Sequence, residues 1–170
     1  MPDCSLTFIV GGARSGKSSH AEKLTTAHAG PWTYVATAEA YDEEMRERIA
    51  LHRSQRGEGW MTVDAPLDLA GAIAALPDGC PVLIDCLTLW LTNHMLAGHD
   101  LDAKCARLAK LLAQPRGPWF VVSNEVGLGI VPDNPLGRRF RDAAGRFNQQ
   151  VAGVADTVLF MVSGLPLKLK

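Results

Sequence analysis

The sequence predicts an α/β fold: a mainly parallel sheet with helices on both faces, built around a phosphate-binding loop. Three observations lead there. Short apolar runs alternate with longer segments of helical period, the pattern of successive βαβ units. The runs are continuous and rich in aliphatic and β-branched residues, as strands buried on both faces require. The first run leads straight into Gly11-Gly12-Ala13-Arg14-Ser15-Gly16-Lys17-Ser18, a complete G-x-x-x-x-G-K-[ST] match between an expected strand and an expected helix.

The elements follow in order. Strands are expected over 6–10, 33–36, 82–84, 120–122 and 158–162, and helices over 17–28, 42–56, 67–76, 88–97, 101–113 and 136–154. Gly30-Pro31, Pro77-Asp78-Gly79 and Pro115-Arg116-Gly117-Pro118 punctuate them as stops and turns. The last helix is the best patterned, with Phe140, Ala143, Ala144, Phe147, Val151 and Val154 on one face. Parallel strands joined through helices imply right-handed crossovers. With 170 residues and no repeat, low-complexity tract or linker, one domain over 1–170 is expected.

Composition bounds the function. A hydrophobic fraction of 47% and a charged fraction of 21% are those of a globular protein. Lys+Arg numbers 17 against Asp+Glu at 18, so the chain lacks the basic excess of a general nucleic-acid or anionic-membrane binder. Ten of those cations nevertheless fall in three stretches: Arg14 and Lys17; Arg46, Arg48, Arg53 and Arg56; and Arg138, Arg139, Arg141 and Arg146. A chain neutral overall can thus be basic where phosphates gather. Cys4, Cys80, Cys86 and Cys105 form no C-x-x-C pair and read as free thiols. No apolar run reaches the ~20 residues of a membrane span and no signal-peptide pattern opens the chain, so a cytoplasmic protein is expected.

The glycines of the loop let its N–H groups curl around phosphate oxygens, Lys17 reaches the β- and γ-phosphates, and the Ser18 hydroxyl is a Mg²⁺ ligand. A second acidic ligand is expected at a neighbouring strand end, where Asp85 stands; it could equally be a helix N-cap. The 42–56 segment begins acidic and turns basic, which suits the helix dipole. Met45, Ile49 and His52 share a face there, which puts His52 beside arginines. These favour its neutral, nucleophilic form, although a structural role suits the same position. Asn124-Glu125 and the glycines after them should sit beside the loop, because ligands bind at the carboxyl ends of parallel strands. Arg141, Gly145 and Asn148 make a polar line on the last helix, open to phosphate, another subunit or solvent. His20, His28, His94 and His99 carry no assigned chemistry.

Together these motifs resemble the bifunctional adenosylcobinamide kinase/adenosylcobinamide-phosphate guanylyltransferase family of cobalamin biosynthesis. The resemblance rests on the loop 11–18, Tyr34-Val-Ala-Thr37, Asp42-Glu-Glu-Met45 with His52-Arg53, Asp85-Cys-Leu-Thr-Leu-Trp90 with Asn93, and Asn124-Glu-Val-Gly127 with Gly129-Ile-Val-Pro132. Phe140-Arg-Asp142 with Gly145 completes it. It implies a RecA-like P-loop NTPase fold and two reactions. ATP or GTP would phosphorylate the aminopropanol hydroxyl of adenosylcobinamide; GTP would then guanylylate a histidine, and the GMP would pass to the new phosphate. The family's histidine falls on His52, preceded here by Leu51 where some members have a second histidine. By the same resemblance Thr37, Ala38, Glu39, Arg53, Ser54, Gln55, Arg56, Asp64 and Asp85 line the nucleotide site, and the chain forms a homo-oligomer, a trimer in the familiar case. The competing expectations are a kinase of another small hydroxyl compound and a regulatory P-loop NTPase.

Overall fold

The computed structural model describes residues 4–39, 43, 47 and 57–170. The elements are β1 Ser5–Gly11, α1 Lys17–Thr26, β2 Trp32–Ala36, β3 Trp60–Asp64, α2 Leu69–Ala74, β4 Val82–Asp85, α3 Leu87–Leu96, α4 Leu101–Leu112, β5 Pro118–Asn124, α5 Pro135–Val154, β6 Thr157–Val162 and β7 Leu165–Lys168. They form one seven-stranded sheet of order β3-β2-β4-β5-β1-β6-β7, parallel throughout except for the antiparallel β6–β7 hairpin. The helix expected over 42–56 lies outside the described residues, apart from Glu43 and Glu47, which are helical and exposed.

Alternate side chains of the central strands serve two cores, since successive Cβ atoms point to opposite faces. Leu6, Phe8, Val82, Ile84, Trp119 and Val121 pack under α2 to α5 with Leu69, Ile73, Leu91, Leu108, Phe147 and Val151. Ile9, Leu83, Phe120 and Val122 face the other way, toward Ala21 and Leu24 of α1 and Met161. Caps set the helix starts. Asp68 accepts from Gly71 N, Asp100 from Ala103 N and Asn134 from Gly137 N, with Pro135 following Asn134 in the first turn of α5.

Two strands were not expected, β3 and β7. Both are edges; β3 mixes exposed with half-buried side chains, while all of β7 is exposed and carries Pro166, which only an edge strand tolerates. Neither segment is a continuous apolar run, since Thr62, Asp64, Pro166 and Lys168 interrupt them.

The β3–α2 connection is held from α3. Trp90 Nε1 donates to Leu67 O at 3.0 Å, and His94 Nε2 lies 3.0 Å from the same carbonyl. A carbonyl can only accept, so Nε2 carries the proton and Nδ1 accepts from His99 Nδ1 at 2.8 Å. His94 is 2% exposed. Burial lowers its pKa below 6.5, while His99 and Lys104 add to the effect and the Leu67 carbonyl opposes it. Protonation would turn an N–H toward His99 and break the pair. The unfolded chain therefore takes up this proton first, and the stability contribution, complete above the unfolded pKa, is lost as pH falls through the lowered folded value. The melting temperature should drop as pH falls below the ordinary histidine range of about 6.5. His94→Gln should flatten that slope without abolishing it, because burial also lowers His20. An unchanged slope in the variant would refute this origin.

Candidate nucleotide-binding site

The carboxyl ends of the strands converge on one edge. Register places Asp64, Ala36 and Asp85 beside one another on β3, β2 and β4, and Gly11 beside Asn124 on β1 and β5. Glu125 N donates to Gly11 O at 2.9 Å, which brings the Asn124–Glu125 loop against the P-loop as expected.

The P-loop spans the gap from β1 to α1. Gly16 has φ of 90° and Arg14 of 54°, left-handed conformations that curl the backbone, at no steric cost for the glycine. A wall not foreseen from sequence closes one side. The β6–β7 turn lies on the loop, with Gly164 N donating to Ser15 O at 3.0 Å, and a Cβ on Gly16 would stand 3.2 Å from Gly164 Cα. At Gly11 there is less room still, since an added Cβ would lie 2.6 Å from Met161 O and 2.9 Å from Ser15 Oγ. Gly11→Ala should therefore destabilise the fold by about 1–3 kcal/mol, because backbone has to move. Denaturant unfolding checks this, and a wild-type midpoint would contradict it.

Lys17 is 7% exposed. Its Nζ donates to Gly12 O at 2.5 Å and to Ser15 Oγ at 3.4 Å, holding the ammonium over the mouth of the loop. Burial lowers its pKa, while Cys86 and the Asp85 carboxylate oppose that shift. Asp85 ends β4 and the P-loop follows β1, with β5 between the two strands. Ser18, in the first turn of α1, and Asp85 are both half-buried. A hydroxyl and one carboxylate are hard oxygen donors. They fit Mg²⁺, which takes few protein ligands and completes its shell with phosphates and water. Among the described residues no group of three His, Cys, Asp or Glu side chains forms a metal cluster.

The other expected site residues divide. Gly12, Ala13, Arg14 and Ser15 belong to the loop, and Ala38 and Glu39, half-buried, leave the end of β2 at the same edge. Asp64 is exposed at the end of β3. Thr37 is 0% exposed, with its hydroxyl engaged by Cys86. His52, Arg53, Ser54, Gln55 and Arg56 lie outside the described residues.

One expectation is corrected. Asn148 does not extend an outward polar line from Arg141, whose guanidinium folds onto Asp142. It turns inward, where Oδ1 accepts from Ser123 Oγ at 2.8 Å and Nδ2 donates to Asn124 O at 3.1 Å. Thr88 Oγ1 accepts from Asn124 N at 2.7 Å and lies 3.3 Å from Ser123 Oγ. This network fixes the end of β5 and so the loop beside Gly11. The spacing held a signal for it, because Asn148 stands four residues after Ala144 and three before Val151, both buried.

The family described as cobinamide kinase / cobinamide phosphate guanyltransferase matches residues 7–169. The chain is 45% identical to the bifunctional adenosylcobalamin biosynthesis protein CobP of Pseudomonas aeruginosa, over 96% of each chain. It is 41% identical to the bifunctional adenosylcobalamin biosynthesis protein CobU of Escherichia coli, over 97% of this chain and 99% of that one. Solved structures share the P-loop NTPase fold at low identity. The flagellar accessory protein FlaH of Methanocaldococcus jannaschii has a TM-score of 0.55 at 15% identity, covering 100% of this chain and 80% of that one. A KaiC-like protein of Pyrococcus horikoshii has a TM-score of 0.51 at 12% identity, covering 94% and 72%.

Proposed function

The chain belongs to the cobinamide kinase / cobinamide phosphate guanyltransferase family, and from that premise we propose that it carries out two successive transfers on adenosylcobinamide. It is an enzyme of that family. The observation that carries the reading is the union of a match over residues 7–169 with a P-loop shaped for phosphates at the carboxyl edge of the sheet.

In the first transfer the aminopropanol hydroxyl oxygen attacks the γ-phosphorus of ATP or GTP. The nucleoside diphosphate leaves, and the hydroxyl proton passes to water. The loop N–H groups and Lys17 hold the β- and γ-phosphates and offset the charge that spreads over them. Ser18 and Asp85 would hold Mg²⁺, which neutralises phosphate charge when bound. In the second transfer an imidazole nitrogen of His52 attacks the α-phosphorus of GTP, forming a P–N bond and displacing pyrophosphate. A phosphate oxygen of adenosylcobinamide phosphate then attacks the same phosphorus, breaks the P–N bond and takes GMP to give adenosylcobinamide-GDP. Splitting one displacement into two is what covalent catalysis achieves. Arg53, Ser54, Gln55 and Arg56 follow His52 as phosphate-binding neighbours, with Ala38, Glu39 and Asp64 on the nucleotide side.

We read the enzyme as one cytoplasmic domain acting as a homo-oligomer, a trimer by resemblance. The four free cysteines suit a reducing compartment. Leu128, Ile130 and Val131 after β5 and Leu136 in the first turn of α5 are each exposed, apolar side chains of the kind an interface between copies would cover. Among the described residues, no helix is long and apolar enough to cross a membrane.

Incubating the protein with adenosylcobinamide, Mg²⁺ and either ATP or GTP, then resolving the corrinoids by mass, tests the whole reading. The phosphate is expected with the competent donor, and the GDP derivative only when GTP is present. A corrinoid unchanged under both conditions would overturn it.

A further inference from the structure

A single buried hydroxyl ties together the ends of β2 and β4. Thr37 Oγ1 accepts from Cys86 N at 2.8 Å and donates to Cys86 O at 2.7 Å, so one side chain serves both backbone groups of the residue after Asp85. The strand register ends at Ala36 and Asp85, and Thr37 N still donates to Asp85 O at 3.2 Å. Beyond that point the hydroxyl continues the ladder. Asn93, 3% exposed on α3, holds Thr37 from behind. Its Nδ2 donates to Thr37 O at 2.8 Å and to Pro66 O at 3.0 Å.

We infer that Thr37 is a positioning residue whose hydroxyl aims the Asp85 carboxylate at the metal–phosphate position by fixing the Asp85–Cys86 backbone, with Asn93 as its anchor. The inference deepens the proposed function and rests on it. Residues following β2 are expected at the nucleotide by resemblance, but this hydroxyl has both its donor and its acceptor role occupied and is closed off from the mouth of the loop. Its influence therefore travels through Asp85. The oxygen donors of Ser18 and Asp85 can accept Mg²⁺ only if the carboxylate points the right way, and a mis-set Cys86 backbone turns it aside. Residues that orient metal ligands typically change metal affinity by about 10-fold to 100-fold when removed.

The test separates nucleotide binding from metal binding. Thr37→Val keeps the shape and removes both bonds, while Thr37→Ser restores them. GTP affinity is measured by calorimetry in EDTA, and Mn²⁺ affinity of the GTP complex by the loss of free-ion resonance signal. Thr37→Val should weaken Mn²⁺ binding by about tenfold or more, leave metal-free GTP affinity within about twofold, and lower kcat more than it raises KM for the nucleotide. Thr37→Ser should return Mn²⁺ affinity to near wild type. If Thr37→Val does not fold, Thr37→Cys keeps a weak donor in similar volume and should show the same selective loss, in smaller degree. Equal losses of GTP affinity with and without metal would overturn the assignment in favour of direct contact, as would Mn²⁺ affinity unchanged in the variant. A wild-type protein that binds no Mn²⁺–GTP overturns the nucleotide-transferase reading itself, and this assignment with it.

Discussion

Lys17→Ala should lower phosphoryl transfer by about 10³-fold, with most of the loss in kcat, because the ammonium meets charge that grows on the leaving phosphates in the transition state. That loss corresponds to about 4 kcal/mol. The fold should survive, since the side chain's hydrogen bonds run to Gly12 O and Ser15 Oγ within its own loop. Lys17→Arg should rescue little. Lys17 is 7% exposed, and a planar, forked guanidinium does not reproduce the compact point charge of the ammonium there. Steady-state rates with ATP and with GTP check this, alongside a melting curve. A variant retaining a tenth of wild-type kcat would show that the loop backbone alone carries the phosphates.

His52→Ala should separate the two reactions. Guanylyl transfer should fall by about 10⁴-fold or more, as when a covalent nucleophile is removed, while phosphorylation of adenosylcobinamide persists. Accumulation of adenosylcobinamide phosphate under GTP is the expected signature. If both activities fall together, the residue serves binding or folding and not the second displacement.

How much of this was legible in the sequence depended on the range of each interaction. The P-loop was readable because phosphate geometry imposes a fixed local spacing on Gly11, Gly16, Lys17 and Ser18. Asp85 and Asn124 were placeable because parallel sheets gather strand ends at one edge. Five strands announced themselves as continuous apolar runs, although the last of them, β6, is only partly buried. What sequence could not supply were partners distant along the chain. Nothing near Thr37 says that its hydroxyl meets Cys86, or that Asn93 reaches back from α3. The β6–β7 turn over Ser15 depends on an edge strand whose exposed Leu165-Pro-Leu-Lys168 carries no core pattern. Asn148 lay between these extremes. Its spacing from Ala144 and Val151 marked it as inward-facing, but a polar side chain beside Arg141 invited the opposite reading.

The covalent chemistry proposed for His52 sets this enzyme apart from a simple kinase. The most direct measurement is a pulse and chase with α-labelled GTP. The protein is incubated with the nucleotide and Mg²⁺, freed of it by gel filtration, and then mixed with adenosylcobinamide phosphate. Label should remain on the protein as an acid-labile, alkali-stable bond, map to the peptide containing His52, and move to the corrinoid on the chase. No label should be retained by His52→Ala. Label retained by His52→Ala, or label that stays on the protein when adenosylcobinamide phosphate is added, would contradict the account.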